Sequence, residues 1–196
     1  IDYFFQPTAS IMQLNSELSK TIGEKKFIVR KSEALSKREA AGEGVTAFGA
    51  DGFTAGSHDK FNRNGTSMVA WSWKANGSGS ANTDGALTST VSANVDSGFS
   101  ISKYTGTGSA TDFGHGLSKK PELVILKNLD ASEQWMIDSS QITGNAGGTL
   151  MFNTDAEYVA SNQFDVPTAS LIKIKTAGNV NVNTQEFICY AFHSVD

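Results

Sequence analysis

From Val45 onward the spacing of large apolar residues is two, the period of a strand with one buried face. Val69, Trp71 and Trp73 alternate with Met68, Ala70 and Ser72, and Phe187, Cys189, Ala191 and His193 alternate with Ile188, Tyr190 and Phe192. Phe99, Ile101 and Lys103 alternate with Ser100, Ser102 and Tyr104, which predicts a half-buried strand, whereas the unbroken apolar run Leu123–Leu126 predicts a central one. Trp135–Asp138, Thr149–Asn153 and Ser170–Lys175 add further strands, with turns at Thr105–Ser109 and Gly144–Gly148. Ahead of Val45 the spacing changes. Ile11, Leu14, Leu18 and Ile22 follow the caps Thr8 and Ser10 at helical intervals up to Gly23, Lys26–Val29 reads as a strand, and Ser32–Ala41 reads as a second short helix between Ser32 and Gly42. The pattern predicts a mainly β fold, a β-sandwich or jelly-roll-like architecture with short N-terminal helices.

The chain also repeats itself. Phe61–Lys74 (FNRNGTSMVAWSWK) aligns without a gap on Val180–His193 (VNVNTQEFICYAFH), setting Asn62 over Asn181 and Asn64 over Asn183, and Thr54-Ala55-Gly56 matches Thr176-Ala177-Gly178 upstream. This predicts a duplicated β-unit. The first unit comprises an N-terminal helical and strand segment, 1–44, and a β-rich part, 45–74; the second covers 98–196. Between them, 75–97 (ANGSGSANTDGALTSTVSANVDS) has almost no large apolar residue and reads as a linker or extended arm.

Composition narrows the classes of function. Cys189 is the single cysteine, so neither an intramolecular disulfide nor a Cys-based zinc site can form, and its apolar setting predicts a buried thiol. Residues 1–74 carry ten basic and eight acidic side chains, and 75–196 carry six and twelve, the latter with no arginine. The only basic cluster, Lys25-Lys26 to Arg38, fits a solvated helical face, so nucleic acid is not an expected partner. No apolar run is long enough to span a bilayer, and no membrane partner is expected. The initial Ile reads as the start of a fragment or processed product.

Candidate chemistry is sparse. His58, His115 and His193 lie in a loop, a Gly-flanked turn and a strand end. Gly114-His115-Gly116 is the one place where a bent backbone could present an imidazole, and the competing reading is that His115 donates a hydrogen bond that fixes a turn. No metal-ligand spacing occurs. Asp130, Glu133, Asp138, Asp155 and Glu157 read as solvated loop and edge residues rather than a glycosidase pair. Gly106-Thr107-Gly108 lacks the Lys and helix of a phosphate cradle, and Asn64-Gly65-Thr66 and Asn76-Gly77-Ser78 read as turns despite matching the glycosylation pattern. Trp71 and Trp73 read as core rather than sugar platforms. No catalytic, cofactor or metal site is expected, and no cofactor.

The succession GFSISKYTGTG (98–108), GHGL (114–117), KKPELVILK (119–127), Trp135 and the terminal strand, preceded by DGFT (51–54), FNRNG (61–65) and VAWSWKA (69–75), resembles a family of tailed-bacteriophage proteins, notably from marine phages, found in virion and tail-fibre genes. The resemblance covers roughly Val45–His193. Ser72 stands where that family usually has cysteine, and the segment before Val45 resembles it only loosely. The resemblance implies a virion structural role and does not identify where on the particle the protein sits; the leading expectation is a non-enzymatic component of the virion exterior, made in the host cytoplasm, a tail-fibre or tail-associated adhesion protein working by multivalent display through loops such as Ser57–Lys60 and Ser139–Gly148. A capsid decoration or head-fibre protein is the alternative, and a polysaccharide depolymerase a more distant one. The expected partners are the chain itself, as a homo-oligomer with a trimer among the options, other virion proteins, and a host-surface glycan or protein.

Overall fold

The computed structural model describes residues 45–48, 53–57, 59–65, 67, 73–138, 149–151 and 163–195. The expected N-terminal helices and Lys26–Val29 strand, Met68–Ser72 with Trp71, the Ser139–Gly148 loop, His58, Asp155 and Glu157 lie outside these residues.

Among the described residues the protein is mainly β and sandwich-like. Strands β1 (Val45–Phe48) and β2 (Phe53–Ala55) form an antiparallel ribbon, followed by α1 (Asp59–Asn62), a single helical turn. The larger sheet has seven strands in the order β3 (Ser80–Asn82), β4 (Ser89–Asn94), β5 (Phe99–Thr105), β12 (Glu186–Phe192), β7 (Leu123–Asn128), β8 (Met136–Asp138) and β9 (Thr149–Met151). A second sheet holds β10 (Phe164–Asp165), β11 (Leu171–Ile174) and β6 (Thr111–Gly114). All strand pairs are antiparallel.

The last strand in sequence lies near the middle of the large sheet. β12 pairs with β5 from Glu186↔Thr105 to Phe192↔Phe99 and with β7 along its other edge. Its register decides what each face carries. Tyr104, Phe187, Cys189, Ala191, Val124, Leu126 and Met136 point toward the smaller sheet and close a core with its Phe113, Ile172, Ile174 and Phe164. Tyr104 stacks on its cross-strand neighbour Phe187 and on Phe113, with ring centroids 5.2 and 4.3 Å apart, so one aromatic column joins the two sheets. The opposite face buries Phe99, Ile101, Ile188, Tyr190, Ile125 and Ile137 in a second core with Ala75 and Trp135. Trp73 packs there against Phe192 and Phe99, at 5.7 and 6.5 Å, as the core reading of this indole predicted.

Two expectations need correction. β5 is buried on both faces rather than half-buried, because each face of the large sheet has its own core; Ser100 and Ser102, expected toward solvent, are interior. The stretch 75–97, read as a linker or arm, contains β3 and β4 of the large sheet. Small polar residues suit that position because their hydroxyls find carbonyls: Ser89 Oγ donates to Gly114 O (2.9 Å) and Ser92 Oγ to Gly77 O (2.7 Å). Their small volume also lets β6 come close. Leu87 bridges in parallel to Phe113, with Leu87 N donating to Asp112 O (2.9 Å) and Ala86 N to Asp112 Oδ1 (2.7 Å), so the segment entering β4 ties the two sheets together.

The aligned sequence copies share one local feature. Asn62 ends the turn of α1, and Asn181 closes a comparable turn by donating its N–H to Ala177 O (2.9 Å). Their surroundings differ, Asn62 being exposed and Asn181 buried. Most of the first copy's strand falls outside the described residues.

Candidate functional site

The sequence singles out the Gly114-His115-Gly116 turn, which leaves the end of β6 where the two sheets meet. Both glycines are there for close approach: a Cβ on Gly114 would run into the Asn82 side chain, and one on Gly116, which has φ +70°, would meet Val91 and Ala93 of β4. His115 is therefore pressed inward and is fully buried. Its Nδ1 lies 3.2 Å from Leu117 N, which donates to it, so Nε2 carries the proton and donates to Thr168 O at 3.3 Å. Burial holds the His115 pKa below its usual value and neighbouring His193 pushes it the same way, while the Thr168 bond and Asp84 oppose the shift. A neutral imidazole with both nitrogens engaged fastens a turn. It has no lone pair to offer as a base and no open face for a ligand.

His193 follows β12, its N–H bonded to Gly98 O (2.9 Å) and its Nδ1 donating to Ser194 O (2.7 Å). The next residue is held by Glu122, whose carboxylate accepts from Ser194 N (2.9 Å) and Ser194 Oγ (3.0 Å). Cys189 is a buried free thiol, as expected, and burial pushes its pKa upward.

Two further polar nodes organise the ends of the central strands. At one, Lys127 is buried yet keeps its amine bonded to two carbonyls, Asn128 O (2.7 Å) and Ala131 O (3.0 Å); burial lowers its pKa to about 8, with Glu133 opposing. Asn128 Oδ1 accepts from Asp130 N and Ala131 N (2.9 and 3.0 Å), its Nδ2 donates to Gln185 Oε1 (2.6 Å), and Asp130 Oδ2 accepts from Glu186 N (2.7 Å). At the other, Asn181 is 2% exposed and clamps the Thr105–Ser109 turn, accepting from Thr107 N (2.8 Å) and donating to Ser109 O (2.6 Å), while Tyr104 OH donates to Val180 O (2.6 Å). Gly106-Thr107-Gly108 is thus a turn held from below, and Gly65 and Gly77, at φ +72° and +69°, likewise mark turns.

Asp138 departs from its expected solvated state. It is 3% exposed, faces the core beside Val124 and Thr149, and its Oδ1 has no hydrogen-bond partner. Burial raises its pKa to about 6, with Lys120 pulling the other way. Of the other described carboxylates in that set, Asp130 is exposed and Glu133 half-buried, and the three do not converge with His115 on a metal-ligating group; among the described residues no set of three or more His, Cys, Asp or Glu does. Sequence reasoning passes over Lys127 and Asn128 and reads Asp138 as solvated; the one signal for their burial is their place at the ends of the apolar strands β7 and β8.

These observations define a β-sandwich-like protein whose described interior polar groups chiefly anchor turns to strand ends. The protein matches a family model described as "Domain of unknown function (DUF7483)" over residues 9–196 and belongs to that family. No curated protein and no solved structure matches it.

Proposed function

We propose that this protein is a non-enzymatic structural component of a bacteriophage virion, a tail-fibre or tail-associated adhesion protein that acts by multivalent display. The virion assignment comes from the motif resemblance in the sequence. The structural observation that supports a scaffold role is where the polar side chains are used: His115, Lys127, Asn128 and Asn181, the groups best placed for chemistry, are each committed to backbone atoms of turns and strand ends. Such a frame presents loops rigidly, and repetition of weak loop contacts on one particle gives avidity without a tight single site.

The alternative, capsid decoration, rests on a polar arm reaching across neighbouring subunits. With β3 and β4 part of the large sheet that motive weakens, leaving β3 as a short polar strand at one edge among the described residues. The adhesion reading is tested by adding the labelled full-length protein to host cells and to cells of a strain resistant to adsorption. Saturable binding to the host alone supports it; equal or absent binding to both, with the protein still incorporated into particles, rejects it in favour of decoration.

A further inference from the structure

We propose that Asn64 is a site of spontaneous deamidation, and that the fold withholds the same reaction from Asn76. Asn64-Gly65 and Asn76-Gly77 are the two Asn-Gly pairs in the sequence, and each is followed by a hydroxyl residue, Thr66 or Ser78. In such a pair the glycine backbone nitrogen can reach the asparagine Cγ, because no Cβ on the glycine hinders it. A new bond forms between that nitrogen and Cγ, the bond from Cγ to Nδ2 breaks, and ammonia leaves. Water then opens the cyclic imide to aspartate or isoaspartate, so each event consumes one water and adds one negative charge.

Sequence makes the two sites nearly equal, and structure separates them. Asn64 and Gly65 are exposed in a turn, and among the described residues nothing beyond their chain neighbours lies within 4 Å of the position a Gly65 Cβ would take, so no packing on that side opposes rotation of the peptide plane between them. Asn76 is also exposed, but its backbone is pinned on both sides. Gly77 O accepts from Ser92 Oγ at 2.7 Å, Lys74 O accepts from Asn94 Nδ2 at 3.1 Å, and Ala75 between them is fully buried in the second core. For Gly77 N to reach the Asn76 amide, the peptide plane between them must rotate, and the anchored carbonyls of Lys74 and Gly77 on either side resist that rotation. Cyclisation at Asn76 therefore waits on local opening, while at Asn64 it does not.

The test is peptide mapping of the full-length native protein during incubation at mildly alkaline pH, with isoaspartate quantified at both sites. Asn64 should convert at least roughly tenfold faster than Asn76, the factor imposed by an opening free energy of about 1.4 kcal/mol. In concentrated urea the two rates should converge, because the flanking residues are nearly alike. Ser92→Ala should accelerate Asn76 and leave Asn64 unchanged; the native-against-urea comparison needs no variant and stands even if that substitution unfolds the protein. Equal native rates at the two sites, or an unmodified Asn64, would overturn the proposal.

Discussion

Replacing Asp138 by asparagine keeps the shape of the side chain and removes a charge that the fold disfavours. Asp138 is 3% exposed with an unpartnered Oδ1, and burial raises its pKa from 3.8 to about 6. A pKa raised on folding means the folded state prefers the neutral carboxyl. The carboxyl is therefore tolerated best below pH 3.8, and the folded protein loses stability as pH rises from there through about 6, with no further change above. A gap of about two units, at 1.36 kcal/mol each, makes the ionised group cost about 3 kcal/mol at neutral pH. Asparagine carries no charge but brings an amide that needs partners, a penalty of about 1 kcal/mol that does not vary with pH. The decisive quantity is therefore the difference in unfolding free energy between Asp138→Asn and wild type, from urea titrations at several pH values. It should shift in favour of the variant by about 3 kcal/mol between roughly pH 3.5 and 7.5, every other titrating group cancelling in the subtraction. A pH-independent difference, or one that moves in favour of wild type as pH rises, would refute the burial argument.

Other substitutions test the turn anchors. Tyr104→Phe removes the hydroxyl bonded to Val180 O and should cost about 1–2 kcal/mol in urea denaturation without changing the m-value. Asn181→Ala removes both bonds to the Thr105–Ser109 turn and should cost about 2–3 kcal/mol, with hydrogen exchange at the Thr107 amide accelerated more than at β12. Lys127→Met preserves the buried stem but leaves Asn128 O and Ala131 O without their donor, for a loss of about 1–3 kcal/mol by the same assay. The imidazole of His115 should titrate by NMR with a midpoint below 6.5. Because that pKa is lowered in the fold, its stabilising contribution is complete above the unfolded value and declines as pH falls below it.

The strands legible in the sequence are those whose side chains are large and apolar. β5, β7, β8, β11 and β12 all follow from the pattern, most closely the uninterrupted run in β7, which sits between β12 and β8. What escapes follows from one assumption, that a strand alternating apolar with polar has a wet face. The large sheet has a core on each side, so Ser100, Ser102 and Asp138 are interior although their polarity suggests otherwise. β3 and β4 resemble a linker for the same reason: apart from Val91 they are built of small or polar residues. The partners that make Ser89 and Ser92 acceptable inside, Gly114 O and Gly77 O, lie 25 and 15 residues away along the sequence. Of the polar site, the turn-fixing role of His115 is one of two readings the sequence allows, while the buried state of Lys127 and Asp138 depends on long-range packing that no local pattern encodes.

The proposed virion role is tested most directly by an electron-microscopy density map of purified particles of a phage whose genome carries this sequence. The account predicts repeated copies of the two-layer β body on the outside of the tail, with loops outermost. Purified, infective particles that lack the protein altogether would contradict it.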